Sequence, residues 1–354
     1  MRIASVASAL PPHFYTQEEL LAEAQAVWAG RLFNQDRLEQ LFTHVLVGGR
    51  HLALPLAEYR ELSSFGRAND AWIRVALEIG GEAVEKAMAR AGLALEAIDT
   101  LITVSVTGLA TPSLDARLMN RLGLASRVKR VPIFGLGCVA GVAGLARAAD
   151  YVRGHPEEVA VLLSVELCSL TLQREDLSIP NLISTGLFGD GAAAAVVVGE
   201  DVAGSGVASD GPRIRATRSI FYPDSERVMG WDISERGFQI VLSAEVPEVV
   251  ERFLRRDVEA FLADHGLTRA DIGSWIAHTG GPRVLEAMER TLELPEGALA
   301  LSWKSLREVG NLSSTSVLLV LEETLAEHRP PPGTLGLLMA LGPGFCSELV
   351  LLEL

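Results

Sequence analysis

Three residues in this chain combine a reactive type with a setting that makes the chemistry useful. Cys138 stands in Phe134-Gly135-Leu136-Gly137-Cys138-Val139-Ala140-Gly141, where an apolar run ends and a small-residue helix begins. Flanking glycines permit a tight bend, and a thiol at a helix N-terminus has its thiolate stabilised by free N–H groups and the helix dipole. This is the shape of a nucleophile turn. His278 ends the strand-like run Trp275-Ile276-Ala277 and precedes Thr279-Gly280-Gly281-Pro282. Such a histidine can hold a thiolate as an ion pair or donate to a developing oxyanion. Asn311, in Gly310-Asn311-Leu312-Ser313-Ser314, opens a second small-residue helix, where capping is the simplest role for an asparagine.

These residues need a scaffold that brings distant segments together. Short β-like runs, Leu101 to Val106 and Val159 to Val165, alternate with longer helical patterns, which is the signature of a layered α/β fold. Trp72, Val75, Ala76, Ile79, Ala83, Ala87 and Met88 recur at helical spacing, and Thr16 with Glu19 forms a capping-box pair for an earlier helix. Gly199 to Arg213 is rich in glycine and reads as a connection between two units.

The units look alike. Ile98 to Val104 resembles Ile272 to His278 at an offset of 174, and Gly137-Cys138 matches Gly310-Asn311 at an offset of 173. Gly189-Asp190-Gly191 and Gly342-Pro343-Gly344 each sit beside the apolar run that closes a half. A duplicated chain follows, residues 1–205 carrying Cys138 and residues 206–354 carrying His278 and Asn311, with the chemistry where the halves meet. Asn311 gains its interest from being the repeat partner of Cys138.

Composition excludes other classes. With 31 basic and 45 acidic side chains among 354 residues the net charge is −14, and no basic stripe suits nucleic acid or an anionic membrane. Three cysteines, Cys138, Cys168 and Cys346, suit a reducing compartment rather than a disulfide framework. Apolar runs are too short for a signal peptide or a membrane span, so a cytoplasmic protein is expected. No metal-ligand cluster, phosphate loop or dinucleotide fingerprint is present, and neither metal nor redox cofactor is expected.

The Cys, His and Asn, in that order across a duplicated α/β chain, resemble the thiolase superfamily, and most closely the type III polyketide synthases, the chalcone synthase-like enzymes. Gly137-Cys138, Leu187-Phe188-Gly189-Asp190-Gly191-Ala192-Ala193, His278-Thr279-Gly280-Gly281-Pro282, Gly310-Asn311-Leu312-Ser313-Ser314 and Gly342-Pro343-Gly344-Phe345 carry the resemblance over nearly the whole chain. The ketoacyl-carrier-protein synthase III group shares the trio, but it carries a second Asn after the His where this chain has Gly-Gly-Pro. The resemblance implies a thiolase fold, a five-layered αβαβα architecture, and a homodimer. It makes Cys138 the acyl-accepting nucleophile held as thiolate by His278, places His278 and Asn311 around the thioester oxygen of malonyl-CoA, and makes Phe188 a gatekeeping aromatic. CoA thioesters are then the only small-molecule partners, and no carrier protein is required.

Departures from the plant enzymes bear on substrate. Ile240 replaces a second gatekeeping phenylalanine, Trp231 replaces a cavity glycine, Cys168 and Thr171 match a threonine pair, and Thr111 stands where a methionine crosses into the partner's cavity. Gly342 and Pro343 belong to the cavity set. Met229-Gly230-Trp231-Asp232 looks like bacterial members that extend a medium or long fatty acyl-CoA into alkylpyrones or alkylresorcinols, which is the expected activity. A malonyl-primed synthase of a naphthalene-type pentaketide is the alternative, and a catalytically silent scaffold a more distant one. For the CoA arm the resemblance offers Arg37, His44, Arg50, Gly280, Gly281 and Arg283, with solvated surface arginines an equal reading.

Overall fold

The computed structural model describes residues 1–31, 34–205 and 210–354. The junction expected after residue 205 therefore runs into residues 206–209, which lie outside the described residues.

Nine strands form one hydrogen-bonded array, in the order Ile272–Ala277, Leu335–Gly342, Cys346–Glu353, Arg213–Phe221, Arg2–Ala9, Asp190–Val198, Val159–Leu167, Thr100–Ser105 and Lys129–Phe134. Arg213–Phe221 and Arg2–Ala9 touch only at Arg2 and Arg213, so the array is two sheets joined at a corner. Their pairing rules agree. Thr100–Ser105 is parallel to Val159–Leu167, which is antiparallel to Asp190–Val198, itself antiparallel to Arg2–Ala9. Ile272–Ala277, Leu335–Gly342, Cys346–Glu353 and Arg213–Phe221 follow the same sequence of relations. The first sheet adds Lys129–Phe134 as a parallel edge.

The sequence pattern explains the layers. Val159–Leu167 and Asp190–Val198 are buried along their whole length, as strands covered on both faces must be. Between the sheets lie helices Ala140–Gly154 and Ser316–Ala326, whose Val142, Leu145, Val317 and Leu321 pack with Leu162 of one sheet and Leu338 of the other. Outside the first sheet runs Phe65–Arg90, burying Trp72, Val75 and Ile79. Outside the second run Val246–Ala263 and Pro282–Leu292. This is the five-layered αβαβα architecture of the thiolase fold. Helix Gln17–Val27 begins with the expected capping box between Thr16 and Glu19.

One detail of the repeat differs. The 3₁₀ turns Gly137–Val139 and Ser313–Thr315 lead into the two central helices, so Cys138 corresponds to Ser314 and Asn311 lies before its turn. A β-carbon on Gly141 would stand 2.2 Å from the carbonyl oxygen of Ser314, which is why the central helices begin with small residues: the two turns are pressed together.

Candidate active site

Cys138 sits in a 3₁₀ turn at the start of the central helix, 7% exposed. Gly137, at φ +56°, makes the bend that a β-carbon would oppose, and any such carbon would lie 2.7 Å from the ring of Pro343. From the other half, Gly342 passes so close that a β-carbon would stand 2.7 Å from the amide nitrogen of Val139. The expected cavity residues Gly342 and Pro343 thus buttress the nucleophile turn directly.

The turn of the second half faces the thiol. Cys138 Sγ lies 3.7 Å from Ser313 Oγ, and Ser313 donates its backbone N–H to Asn311 Oδ1 at 2.8 Å. That bond orients the amide and leaves Asn311 Nδ2 as a donor. The Asn311 backbone is tied to the segment around Phe188: its N–H donates to Leu187 O, and Gly189 N–H donates to Asn311 O, each at 3.0 Å. Phe188 and Asn311 form an isolated bridge at this point.

His278 follows strand Ile272–Ala277 and donates its backbone N–H to Met339 O at 3.0 Å, on the strand that continues to Gly342. The side chain is 3% exposed, and neither ring nitrogen has a hydrogen-bond partner among the described residues. Burial brings its pKa down to about 4. Burial pushes the Cys138 thiol up to about 12, with the Glu166 carboxylate adding to the rise and the Ser313 hydroxyl opposing it. Burial thus favours the neutral form of each group, and no hydrogen bond couples the two side chains. A transfer of the thiol proton to the imidazole creates two opposite charges in a low-dielectric pocket, where their attraction is strong.

Glu166 was missed in the sequence. Fully buried under the thiol, it accepts from Ser314 Oγ at 2.5 Å, Thr107 Oγ1 at 2.9 Å, Val106 N–H at 3.1 Å and Ser313 Oγ at 3.3 Å. Burial outweighs these donors and holds its pKa above the usual carboxylate value. Its signal was a lone carboxylate in a strand otherwise free of charge. Ser313 thereby stands between Glu166 and Cys138.

Beside this bridge opens a largely apolar cavity to which Cys168, Thr171, Phe188, Trp231 and Ile240 all contribute. Trp231 and Ile240, the two departures from the plant pattern, are cross-strand partners in the two-stranded sheet Met229–Ser234 and Gly237–Leu242. Thr111 is exposed on a loop and does not line this cavity.

The residues expected at the CoA arm divide. Arg37, His44 and Arg283 are exposed, and Gly280-Gly281 leads into helix Pro282–Leu292. Arg50 is not at an entrance: it is 3% exposed and donates through Nη1 to Thr185 O and Phe188 O, each at 2.7 Å. Burial lowers its pKa to about 10 against the pull of Asp190, and it cannot meet a solvated phosphate. No helix among the described residues is long and apolar enough to cross a membrane.

The family description "Chalcone and stilbene synthases, N-terminal domain" matches residues 5–202, and the corresponding C-terminal domain matches residues 213–354. The chain is 52% identical over 351 residues, 99% of its length and 92% of the relative's, to 1,3,6,8-tetrahydroxynaphthalene synthase of Streptomyces peucetius subsp. caesius. It is 38% identical to a putative chalcone synthase of Bacillus subtilis (strain 168), covering 99% of this chain and 97% of that one. Among solved structures, 1,3,6,8-tetrahydroxynaphthalene synthase of Streptomyces coelicolor A3(2) superposes with a TM-score of 0.92 at 32% identity, covering 100% of this chain and 99% of the other. With domain matches across both halves and a nucleophile turn, a histidine and an amide set where the halves meet, the chain belongs to the chalcone and stilbene synthases: it is a type III polyketide synthase, a decarboxylating acyltransferase that works on CoA thioesters without a further cofactor.

Proposed function

We propose that this enzyme primes and extends with malonyl-CoA and closes the chain into a 1,3,6,8-tetrahydroxynaphthalene-type product. The observation that carries this reading is the 52% identity, over 99% of the chain, to a synthase of that product. It replaces the fatty acyl starter as the leading expectation.

In this mechanism the Cys138 sulfur, having passed its proton to His278, attacks the thioester carbonyl of the starter, and CoA leaves as its thiol. A malonyl-CoA extender then places its thioester oxygen between a ring N–H of His278 and Nδ2 of Asn311. Loss of CO2 leaves an enolate, whose charge these preorganised donors stabilise in a dry pocket. The enolate carbon attacks the Cys138 thioester, and the sulfur is released for the next transfer. Phe188 separates the CoA side from the chamber and presents an apolar surface to the departing carboxylate. Trp231 and Ile240 shape the chamber.

The halves 1–205 and 206–354 act as one catalytic unit in a cytoplasmic homodimer that needs no carrier protein. Exposed apolar residues on the edge strand, Val131 and Phe134, support the dimer. A second reading, a fatty acyl starter giving an alkylpyrone, draws on the apolar side chains Leu20, Ala24, Val27 and Leu56 that also line the cavity.

Labelled malonyl-CoA, supplied alone and then with a ladder of acyl-CoA starters, decides between them. The expected result is a naphthalene-type pentaketide from malonyl-CoA alone. Product formation only when a fatty acyl-CoA is added would reject the malonyl-primed reading.

A further inference from the structure

Strands Met229–Ser234 and Gly237–Leu242 pair only with each other, so no ladder to the nine-stranded array sets how far Trp231 and Ile240 stand from the rest of the chamber wall. Packing supplies part of that distance. Phe238, buried and two residues before Ile240, meets Phe65 edge-on with ring centroids 5.5 Å apart, and a β-carbon on Gly237 would stand 2.9 Å from the same ring. Apolar contact is non-directional, however, and does not fix a hairpin against sliding.

Hydrogen bonds do. The buried side chain of Gln173 donates through Nε2 to Arg236 O and Phe238 O, each at 3.1 Å, and reaches Thr171 O at 3.3 Å. Among the described residues, the first two are the hydrogen bonds that join the backbone of residues 229–242 to the first half of the chain. Gln173 is itself held, since its carbonyl oxygen accepts from Asn181 Nδ2 at 2.9 Å, in the helix Ile179–Leu187 that runs into Phe188. One residue thus joins three segments, and each of them lines the chamber: the turn Cys168–Thr171, the hairpin with Trp231 and Ile240, and the helix with Asn181. Gln173 does not line it.

We propose that Gln173 is a positioning residue that sets the width of the chamber, and with it the length the polyketide chain reaches before release, by latching the hairpin to the turn Cys168–Thr171. The proposal rests on the polyketide reading above and names a determinant of its product. The latch requires an amide. All three neighbours are carbonyl acceptors, so a glutamate of the same size would set a carboxylate against them, and an alanine would leave them without their donor. In either case the hairpin moves off the turn, the wall carrying Trp231 and Ile240 loosens, and the growing chain escapes before its last extension.

The test uses the full-length enzyme with malonyl-CoA as sole substrate and reads a ratio: full-length product against total CO2 released. Loss of folded protein moves both quantities together and leaves the ratio unchanged. Gln173→Glu and Gln173→Ala are each expected to lower the ratio roughly 5- to 10-fold, the size of one lost hydrogen bond, with short lactones taking up the difference. Amide hydrogen exchange should rise in residues 237–242 of both variants and stay at the wild-type level in strand Val159–Leu167. An unchanged ratio in Gln173→Glu overturns the latch. A wild-type enzyme that forms product only with a fatty acyl-CoA rejects the malonyl-primed reading, which is a separate failure, and the same ratio read on that product then decides the latch.

Discussion

Phe188 and Asn311 meet backbone to backbone, in an isolated parallel bridge. The two residues come from different halves of the chain, and two hydrogen bonds of 3.0 Å, Asn311 N–H to Leu187 O and Gly189 N–H to Asn311 O, fasten their segments. Gly310, at φ +76°, makes the approach possible, since a β-carbon there would stand 2.6 Å from Leu187 O. Gly310→Ala is therefore expected to part the bridge, lowering kcat roughly 100-fold together with the melting temperature. Asn311→Ala is expected to lower kcat by a similar factor while the melting temperature stays near wild type. Steady-state CO2 release and thermal unfolding of both variants check the contrast.

Acid stability should depend on His278. Its folded pKa is about 4 against an ordinary 6.5, so the buried neutral ring contributes stability that is present above pH 6.5 and lost as pH falls toward 4. In His278→Gln that contribution is absent, and the drop in unfolding free energy between pH 7.5 and pH 4.5 should shrink by up to about 3 kcal/mol. Urea titrations of both proteins at the two pH values measure it; an equal drop would show that the ring is not neutral and buried in solution.

Gly342 has no room for a side chain because Val139 N and Leu136 O both lie within 3 Å of where its β-carbon would be. In Gly342→Ala the nucleophile turn must shift, and a displacement of this kind costs roughly 100-fold in rate. Alkylation of Cys138 by iodoacetamide, followed by mass spectrometry, should slow in parallel with kcat. Normal alkylation and normal kcat would mean that the turn does not depend on this contact.

Trp231 faces Ile240 across the hairpin and fills the chamber wall. Trp231→Gly removes a large aromatic side chain there, and the variant should accept a bulky aromatic acyl-CoA with kcat/KM raised about 10-fold, within the range one lost apolar contact can shift specificity. Starter competition assays on wild type and variant compare directly.

The edge strand Lys129–Phe134 leaves Val131 and Phe134 exposed at 38% and 46%. An unpaired apolar edge is a pairing surface. If the proposed homodimer pairs along this edge, Val131→Asp with Phe134→Asp should give a monomer in sedimentation velocity where wild type sediments as a dimer. A wild-type protein that already sediments as a monomer would refute the proposed homodimer.

The nucleophile turn was legible because it depends on local rules: a reactive side chain, glycines that permit a bend, and a small-residue helix beginning at once. Strand Val159–Leu167 and helix Phe65–Arg90 were legible for the same reason, through apolar runs and helical spacing. Arg50 is buried rather than at an entrance because its neighbourhood is made by Gln17, Thr185 and Phe188, far away in the chain, which the resemblance that offered it for the CoA arm does not reveal. The repeat partner of Cys138 was set at Asn311 instead of Ser314 because matched motifs do not reveal a shift of three residues between one half and the other. Glu166 escaped notice since its partners, Thr107, Ser313 and Ser314, arrive from two distant segments that only the fold assembles.

The hairpin that carries Trp231 and Ile240 is a sheet of its own, outside the nine-stranded array. Its residues can be exchanged without rewriting the strands that seat Cys138, His278 and Asn311. On the reading proposed above, the reaction and the shape of the chamber would then rest on separate parts, and a lineage could alter this cassette while the strands around Cys138, His278 and Asn311 stay intact.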